Sequence, residues 1–247
     1  MYLNSTSCGE IGLILHEILY KILNYKTNGF FIEVGANDGY TGSFTYNLAK
    51  IGWGGIYFEP VPSIYERCAI NHLNHDNVNV INMAVGEKEE YLNIVDGGTL
   101  STMDDETYNI YLNNSWSKNN FINNNNNKIQ VKTNKLDNIL SNLKIEKDFD
   151  LLVLDVEGYE MNVLKGFTIS NYNPKIIIIE IADQHDSFIN NKIIMEKFSW
   201  IRNYLTTNGY SLLVNDVVDN VYLRNDLYSD KDKEFFSNKI KFPQFSK

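Results

Sequence analysis

The 247-residue sequence has two cysteines, four prolines and no block of Lys or Arg. Cys8 and Cys68 are too few for a disulfide framework and lack the spacing of metal ligands, so both read as free thiols in a reducing compartment. Twenty-two Lys and Arg stand against 31 Asp and Glu, for a formal net charge of −9. Binding to nucleic acid needs a basic footprint that displaces counterions from phosphates, which speaks against DNA or RNA as a partner. No run approaches the roughly 18 apolar residues of a membrane helix. Gly12 to Leu23 comes nearest, but His16, Glu17 and Lys21 interrupt it. Its apolar positions, Ile11, Ile14, Leu15, Ile18, Leu19 and Ile22, recur at helical spacing and predict an amphipathic helix docked on a core, not a signal peptide. The expectation is an N-terminal helical segment over 1–28, one domain over 29–247, no membrane partner, and a cytoplasmic location (the host cytoplasm for a viral protein).

What is abundant is Asn, Ile, Lys, Tyr and Phe, a usage typical of an AT-rich genome, and Asn123 to Asn127 are uninterrupted. That run predicts a polar loop within an Asn-rich insertion near 96–128, because nothing in the run can be buried. The Asn4 and Asn113 sequons are expected by chance at this Asn content.

Short apolar strands alternate with helical patterns along most of the chain. Phe30–Val34, Gly55–Glu59 and Val78–Ile81 read as strands, with helices predicted over Thr41–Ile51 and Ser63–Leu73. Glu90–Val95 and Ile129–Thr133 read as strands flanking the polar segment, and Leu136–Leu143 as a short helix. Phe149–Leu154 and Lys175–Ile179 are near-continuous aliphatic runs, the mark of central parallel strands buried on both faces. A helix over Ile193–Leu205 ends at Asn208-Gly209. Tyr210–Val214 and Val218–Leu223 then predict a terminal antiparallel hairpin. The fold class is α/β, a Rossmann-like doubly wound and mostly parallel sheet whose ligands sit beyond the carboxyl ends of its strands.

Just past the first strand stands Glu33-Val34-Gly35-Ala36-Asn37-Asp38-Gly39. Glycines there let backbone N–H groups approach a ligand. A dinucleotide turn would read G-x-G-x-x-G, but Asn37 replaces the second glycine and an acid stands two residues before Gly35. A carboxylate there repels a pyrophosphate and can pair with the ammonium of an amino-acid-bearing cofactor, which favours S-adenosylmethionine over NAD. Glu59, ending the second strand, can accept hydrogen bonds from both ribose hydroxyls of either nucleotide.

Four blocks, FIEVGANDGYTGSFT, GIYFEPVPSIYE, VINMAVGEKEE and FDLLVLDVEGYEMNVLKG followed by PKIIIIEI, give the chain a resemblance to the FkbM family of methyltransferases. The blocks run from about Phe30 to Ile181, and D-V-E-G-x-E-x-x-V-L-x-G is the most distinctive. The resemblance implies a class I fold with strand order 3-2-1-4-5-7-6, S-adenosylmethionine as methyl donor, and O-methylation with sugars and sugar-derived products as common acceptors. It places Glu33, Gly35, Asn37 and Gly39 around the methionine and ribose, Glu59 on the ribose, Met83 and Ala84 beside the adenine, and Asp155 facing the methionine or the acceptor.

Methyl transfer to an alcohol requires alignment of oxygen, methyl carbon and sulfur, and a route for the hydroxyl proton. Asp155, Glu157, Glu160, Glu180, Asp183, His185 and Asp186 are the candidates. Asp155 and Glu180 follow the two most buried strands, and as neighbours they could share a Mg²⁺ ion. Structural roles compete: Glu157 as a cap of the next helix, Glu180 as a hydrogen-bonding group. His185, in the loop after the fifth strand, titrates near neutrality and is the expected general base. His72 and His75 lack an acidic third ligand and predict a solvated helix end. The sequence therefore points to an O-methyltransferase acting on a small molecule or saccharide, with an NAD-linked enzyme and a non-catalytic scaffold as the rival readings.

Overall fold

The computed structural model describes residues 10–24, 26–125 and 127–240. Cys8, the Asn4 sequon and Asn126 of the Asn run lie outside them. In chain order the elements are α1 (Glu10–Leu23), β1 (Phe30–Val34), α2 (Tyr46–Lys50), β2 (Gly54–Phe58), α3 (Pro62–Asn71), β3 (Val78–Ile81), β4 (Ala84–Val85) and β5 (Glu90–Val95). There follow α4 (Asp105–Asn113), α5 (Lys118–Asn123), β6 (Lys128–Asn134), α6 (Leu136–Asn142), β7 (Leu151–Leu154), α7 (Glu160–Lys165) and α8 (Ile169–Tyr172). The chain continues with β8 (Ile176–Glu180), α9 (Lys192–Thr207), β9 (Tyr210–Asn215), β10 (Asp219–Arg224) and α10 (Asp230–Ser237).

Seven strands form one sheet in the order β3-β2-β1-β7-β8-β10-β9. The first five are parallel, and β10 runs antiparallel between β8 and β9. Counting main-sheet strands alone, this is the order 3-2-1-4-5-7-6. It follows from the residues: Phe31, Leu151, Val153, Ile176 and Ile178 pack in the core on one face, and Ile32, Leu152, Leu154, Ile177 and Ile179 in the core on the other. A strand apolar on both faces is stable only with layers on both sides. The buried stripe of α1 (Ile11, Ile14, Leu15, Ile18, Leu19) joins the first core, as the helical spacing predicts, and α9 joins the second through Ile194, Phe198, Ile201 and Leu205. No helix among the described residues is long and apolar enough to cross a membrane.

Glu90–Val95 and Ile129–Thr133 are strands, as expected, and β5 and β6 pair antiparallel in a separate three-stranded sheet that also holds β4. Two local expectations need correction. The helix expected over Thr41–Ile51 shrinks to α2. Asp38 first makes a turn by accepting from Tyr40 N, Thr41 N and Thr41 Oγ1, and Ser43 and Thr45 then turn their hydroxyls onto Glu33. Short polar side chains that bond locally in this way compete with helix formation. The Asn-rich segment is not only a polar loop. It carries α4 and α5, whose Tyr111 and Phe121 are fully buried and stack at 5.8 Å.

Candidate active site

Strand register sets the site. Val34 pairs with Phe58 and Leu154, and Leu154 with Ile179, so the next residues (Gly35, Glu59, Asp155 and Glu180) lie in one row across the carboxyl end of the sheet. A pocket opens there, lined by Gly35, Asn37, Glu59, Met83, Ala84, Asp155 and Glu157 together with Ile94, Thr99, Ser101 and Met103. Seven of the residues singled out in the sequence for a cofactor or for chemistry thus meet in one place.

The turn after β1 has geometric reasons for its residues. Gly35 has φ +85°, and a Cβ there would lie 1.7 Å from the Asp155 carbonyl oxygen, so only glycine lets this loop approach the end of β7. Asn37 follows in the left-handed region at φ +49°, where Asn is tolerated. Its N–H donates to Glu59 Oε2 at 3.0 Å, and Val61 N donates to Oε1 at 2.8 Å. Two backbone donors thus aim the Glu59 carboxylate, while burial pushes its pKa up to about 7.

Glu33, Gly39, Glu180 and His185 do not line this cavity. Glu33 sits one residue before the end of β1, so strand alternation puts it on the opposite face from Val34, beside Tyr57. There its carboxylate accepts from Ser43 Oγ at 2.9 Å, Phe44 N at 3.3 Å and Thr45 Oγ1, and burial raises its pKa to about 7. Gly39 packs against α3, where a Cβ would meet Cys68 Sγ and His72 Nε2 at 2.6 Å. His72 is correspondingly buried rather than solvated: it stacks on Tyr57 at 4.2 Å, and its Nε2 bonds the Gly39 carbonyl at 2.9 Å. Its pKa falls to about 4, chiefly through burial. His185 lies against the rings of Trp116 and Phe188, and its Nδ1 accepts from Ser187 N at 3.1 Å. Asp183, another candidate, is held by Arg202 at 2.7 Å.

The acids after β7 and β8 do converge. One carboxylate oxygen from each of Asp155, Glu157 and Glu180 lies within 4.8 Å of the others. Burial raises the Asp155 pKa to about 6 and those of Glu157 and Glu180 well above the ordinary range, with neighbouring carboxylates adding to the last two. Asp219, directly opposite Glu180 in the β8–β10 register, is raised in the same way. Glu160 has a structural task, accepting Val156 N at 2.9 Å and Gly158 N at 3.2 Å. The residue that sequence reasoning passed over is Tyr111, whose hydroxyl donates to Glu157 Oε2. Its trace in the sequence is a set of aromatics, Tyr108, Tyr111, Trp116 and Phe121, inside a segment read as polar.

Comparison with known proteins bears on this arrangement. No curated protein sequence matches the chain. Solved structures similar in fold include the Methanococcus jannaschii fibrillarin pre-rRNA processing protein (15% identity, covering 83% of this chain and 69% of that one, TM-score 0.43). Others are a precorrin-6y C5,15-methyltransferase from Geobacter metallireducens (9%, 85% and 87%, TM-score 0.44) and cofactor-bound Rv0187 from MTB (11%, 84% and 77%, TM-score 0.48). All three TM-scores fall below 0.5, and none of the three bears on the chemistry of this chain. The family described as Methyltransferase FkbM domain matches residues 33–212, more than two thirds of the sequence, with Gly35, Glu59, Asp155 and Glu180 among them. The chain therefore belongs to the FkbM family of methyltransferases.

Proposed function

We propose that this methyltransferase uses S-adenosylmethionine to methylate a hydroxyl oxygen, with a sugar or glycan as acceptor. The observation that carries the reading is the cavity at the strand ends, with an acid placed for a ribose at one side and a cluster of acids at the other. Glu59, oriented by two backbone N–H groups, accepts from the ribose hydroxyls. Met83 and Ala84 border the adenine, and Gly35 and Asn37 bring the backbone to the cofactor. Among the described lining residues none is Lys or Arg, which suits a sulfonium and an ammonium and disfavours the pyrophosphate of NAD. The absence of a basic footprint likewise favours a small or saccharide acceptor over nucleic acid.

When bound, S-adenosylmethionine supplies an electrophilic methyl group on a positively charged sulfur. The acids around Asp155 hold the acceptor hydroxyl in line with that carbon. The same carboxylates would take up the hydroxyl proton as the oxygen is methylated. Asp155, Glu157 and Glu180 also offer the oxygen donors that Mg²⁺ takes. A bound ion would supply Lewis-acid polarisation of the hydroxyl.

Calorimetric titration with S-adenosylhomocysteine, with and without Mg²⁺, tests the reading. Micromolar binding supports it, and tighter binding with the ion supports a metal at the acids. No binding under either condition overturns it in favour of a scaffold.

A further inference from the structure

Helix α4 reaches the acids from the segment that reads as an insertion, and three contacts from this region meet on two residues. Thr102 Oγ1 donates to the Glu157 carbonyl at 2.6 Å. Thr107 packs so closely on Gly158 that a Cβ there would lie 2.0 Å from Thr107 Oγ1. One helical turn on, the Tyr111 hydroxyl donates to Glu157 Oε2. Glu157 and Gly158 are consecutive left-handed residues, with φ +54° and +92°. A non-glycine residue persists in that region only where its surroundings over-determine it. The α4 region is what over-determines it here.

Other tyrosines of the chain supply a control for what a structural hydroxyl does. Tyr204 donates to the Phe167 carbonyl at 2.7 Å, and Tyr210 to the Pro174 carbonyl at 2.6 Å. Both tie one backbone segment to another and stop there. Tyr111 instead ends on a carboxylate that lines the cavity beside Asp155, and its own ring is locked by Phe121, Trp116 and Phe188 at centroid distances of 5.8, 5.6 and 6.0 Å. A rigid donor on one oxygen of a carboxylate fixes where the other oxygen points.

We propose that Tyr111 is a positioning residue of the methyl-transfer reaction: by holding Glu157 Oε2 it presents Oε1 to the acceptor hydroxyl next to Asp155. The proposal rests on the reading in the preceding subsection. It makes α4 part of the catalytic apparatus, because the helix carries the anchor of a group that touches the acceptor. Near-attack geometry is sensitive on the ångström scale, so loss of the anchor falls on turnover rather than on cofactor binding.

The test uses the full chain, Tyr111→Phe, Glu157→Gln, the double variant, and Tyr204→Phe as a control that removes a structural hydroxyl. S-adenosylhomocysteine release is followed with methyl glycosides of glucose, mannose, galactose, rhamnose and fucose as acceptors, and cofactor binding by calorimetry. Tyr111→Phe keeps the ring and its packing. It is expected to lower kcat about 10- to 100-fold while the Kd for S-adenosylhomocysteine stays within about twofold. Glu157→Gln should lower kcat at least as much, the double variant no further, and Tyr204→Phe should behave as wild type. A Tyr111→Phe enzyme with wild-type kcat, or losses that multiply in the double variant, overturns the role of Tyr111 and leaves the methyl-transfer reading standing. A wild-type chain that binds S-adenosylhomocysteine but methylates none of the glycosides overturns the sugar reading and this proposal with it. A wild type that does not bind overturns the assignment of the cofactor.

Discussion

Strand β7 carries an aspartate at each end, and the two are treated in opposite ways. Asp150, just before the strand, is 1% exposed and accepts from Lys26 at 2.7 Å, Lys175 at 2.6 Å and Phe30 N at 3.0 Å. Asp155, just after it, faces Glu157 and Glu180, with Asp219 opposite Glu180, and no ion pair with Lys or Arg is formed by these four among the described residues. Burying a carboxylate is costly unless it is paired and hydrogen-bonded. The amino end of the sheet meets that cost within the protein. The carboxyl end leaves its acids raised in pKa, a state that a cationic ligand or a shared proton relieves. One end is built to hold the sheet, and the other to receive something.

The sharpest way to break this comparison is to neutralise each aspartate in turn. Asp155→Asn should lower kcat by about 10²- to 10⁴-fold, the range for a positioned acid–base group, and should raise the unfolding midpoint because a buried like-charge contact is gone. Asp150→Asn should do the reverse, costing about 2–3 kcal/mol of stability in denaturant titration with kcat unchanged. The loss is below that of a fully buried pair because both lysines remain partly in water. If both variants lose stability and neither loses turnover, the distinction between the two ends fails.

Glu59→Ala sharpens the comparison inside the site, since Glu59 has backbone donors where Asp155 has acids. It should weaken S-adenosylhomocysteine binding by about 10- to 100-fold in calorimetry, as for loss of hydrogen bonds to a charged group. A smaller effect is expected from pH. Glu33, Glu59 and Glu160 have folded pKa values of about 7 and Asp155 about 6, all above their unfolded values. Their favourable contribution is complete below the unfolded pKa and is lost as pH rises through 6 to 7. The unliganded chain should therefore unfold at lower temperature at pH 8 than at pH 6. His72, lowered to about 4 from 6.5, works in the opposite sense: its contribution is present above 6.5 and is lost as pH falls toward 4. Last, His185→Ala should change kcat less than about threefold, since the ring lies against Trp116 and Phe188 and not in the cavity.

The comparison also shows what the sequence makes legible. Aliphatic runs such as Ile176–Ile179 announce central strands directly, and the strand ends then locate Gly35, Glu59, Asp155 and Glu180. Side-chain direction was harder to read. Glu33 and Glu59 look alike as acids near strand ends, but a one-residue difference in phase puts Glu33 on the far face, among Ser43 and Thr45. His185 is close to Glu180 in sequence, yet the turn 182–191 carries it onto Trp116. Tyr111 is hard to single out because α4 mixes acids and Asn with Tyr, Ile and Leu, and only the fold shows that its Thr107 and Tyr111 share a buried face.

The placement of β10 has a consequence for how the chain is made. β9 is synthesised first, but its place is at the rim, separated from β8 by a strand that has not yet emerged. Until residues 219–224 leave the ribosome, β8 (Ile176–Glu180) has an open, strongly aliphatic edge, the kind that pairs with stray chains. A nascent polypeptide halted between β9 and β10 should be the sticky one, and release of the last strand is the event that seals it.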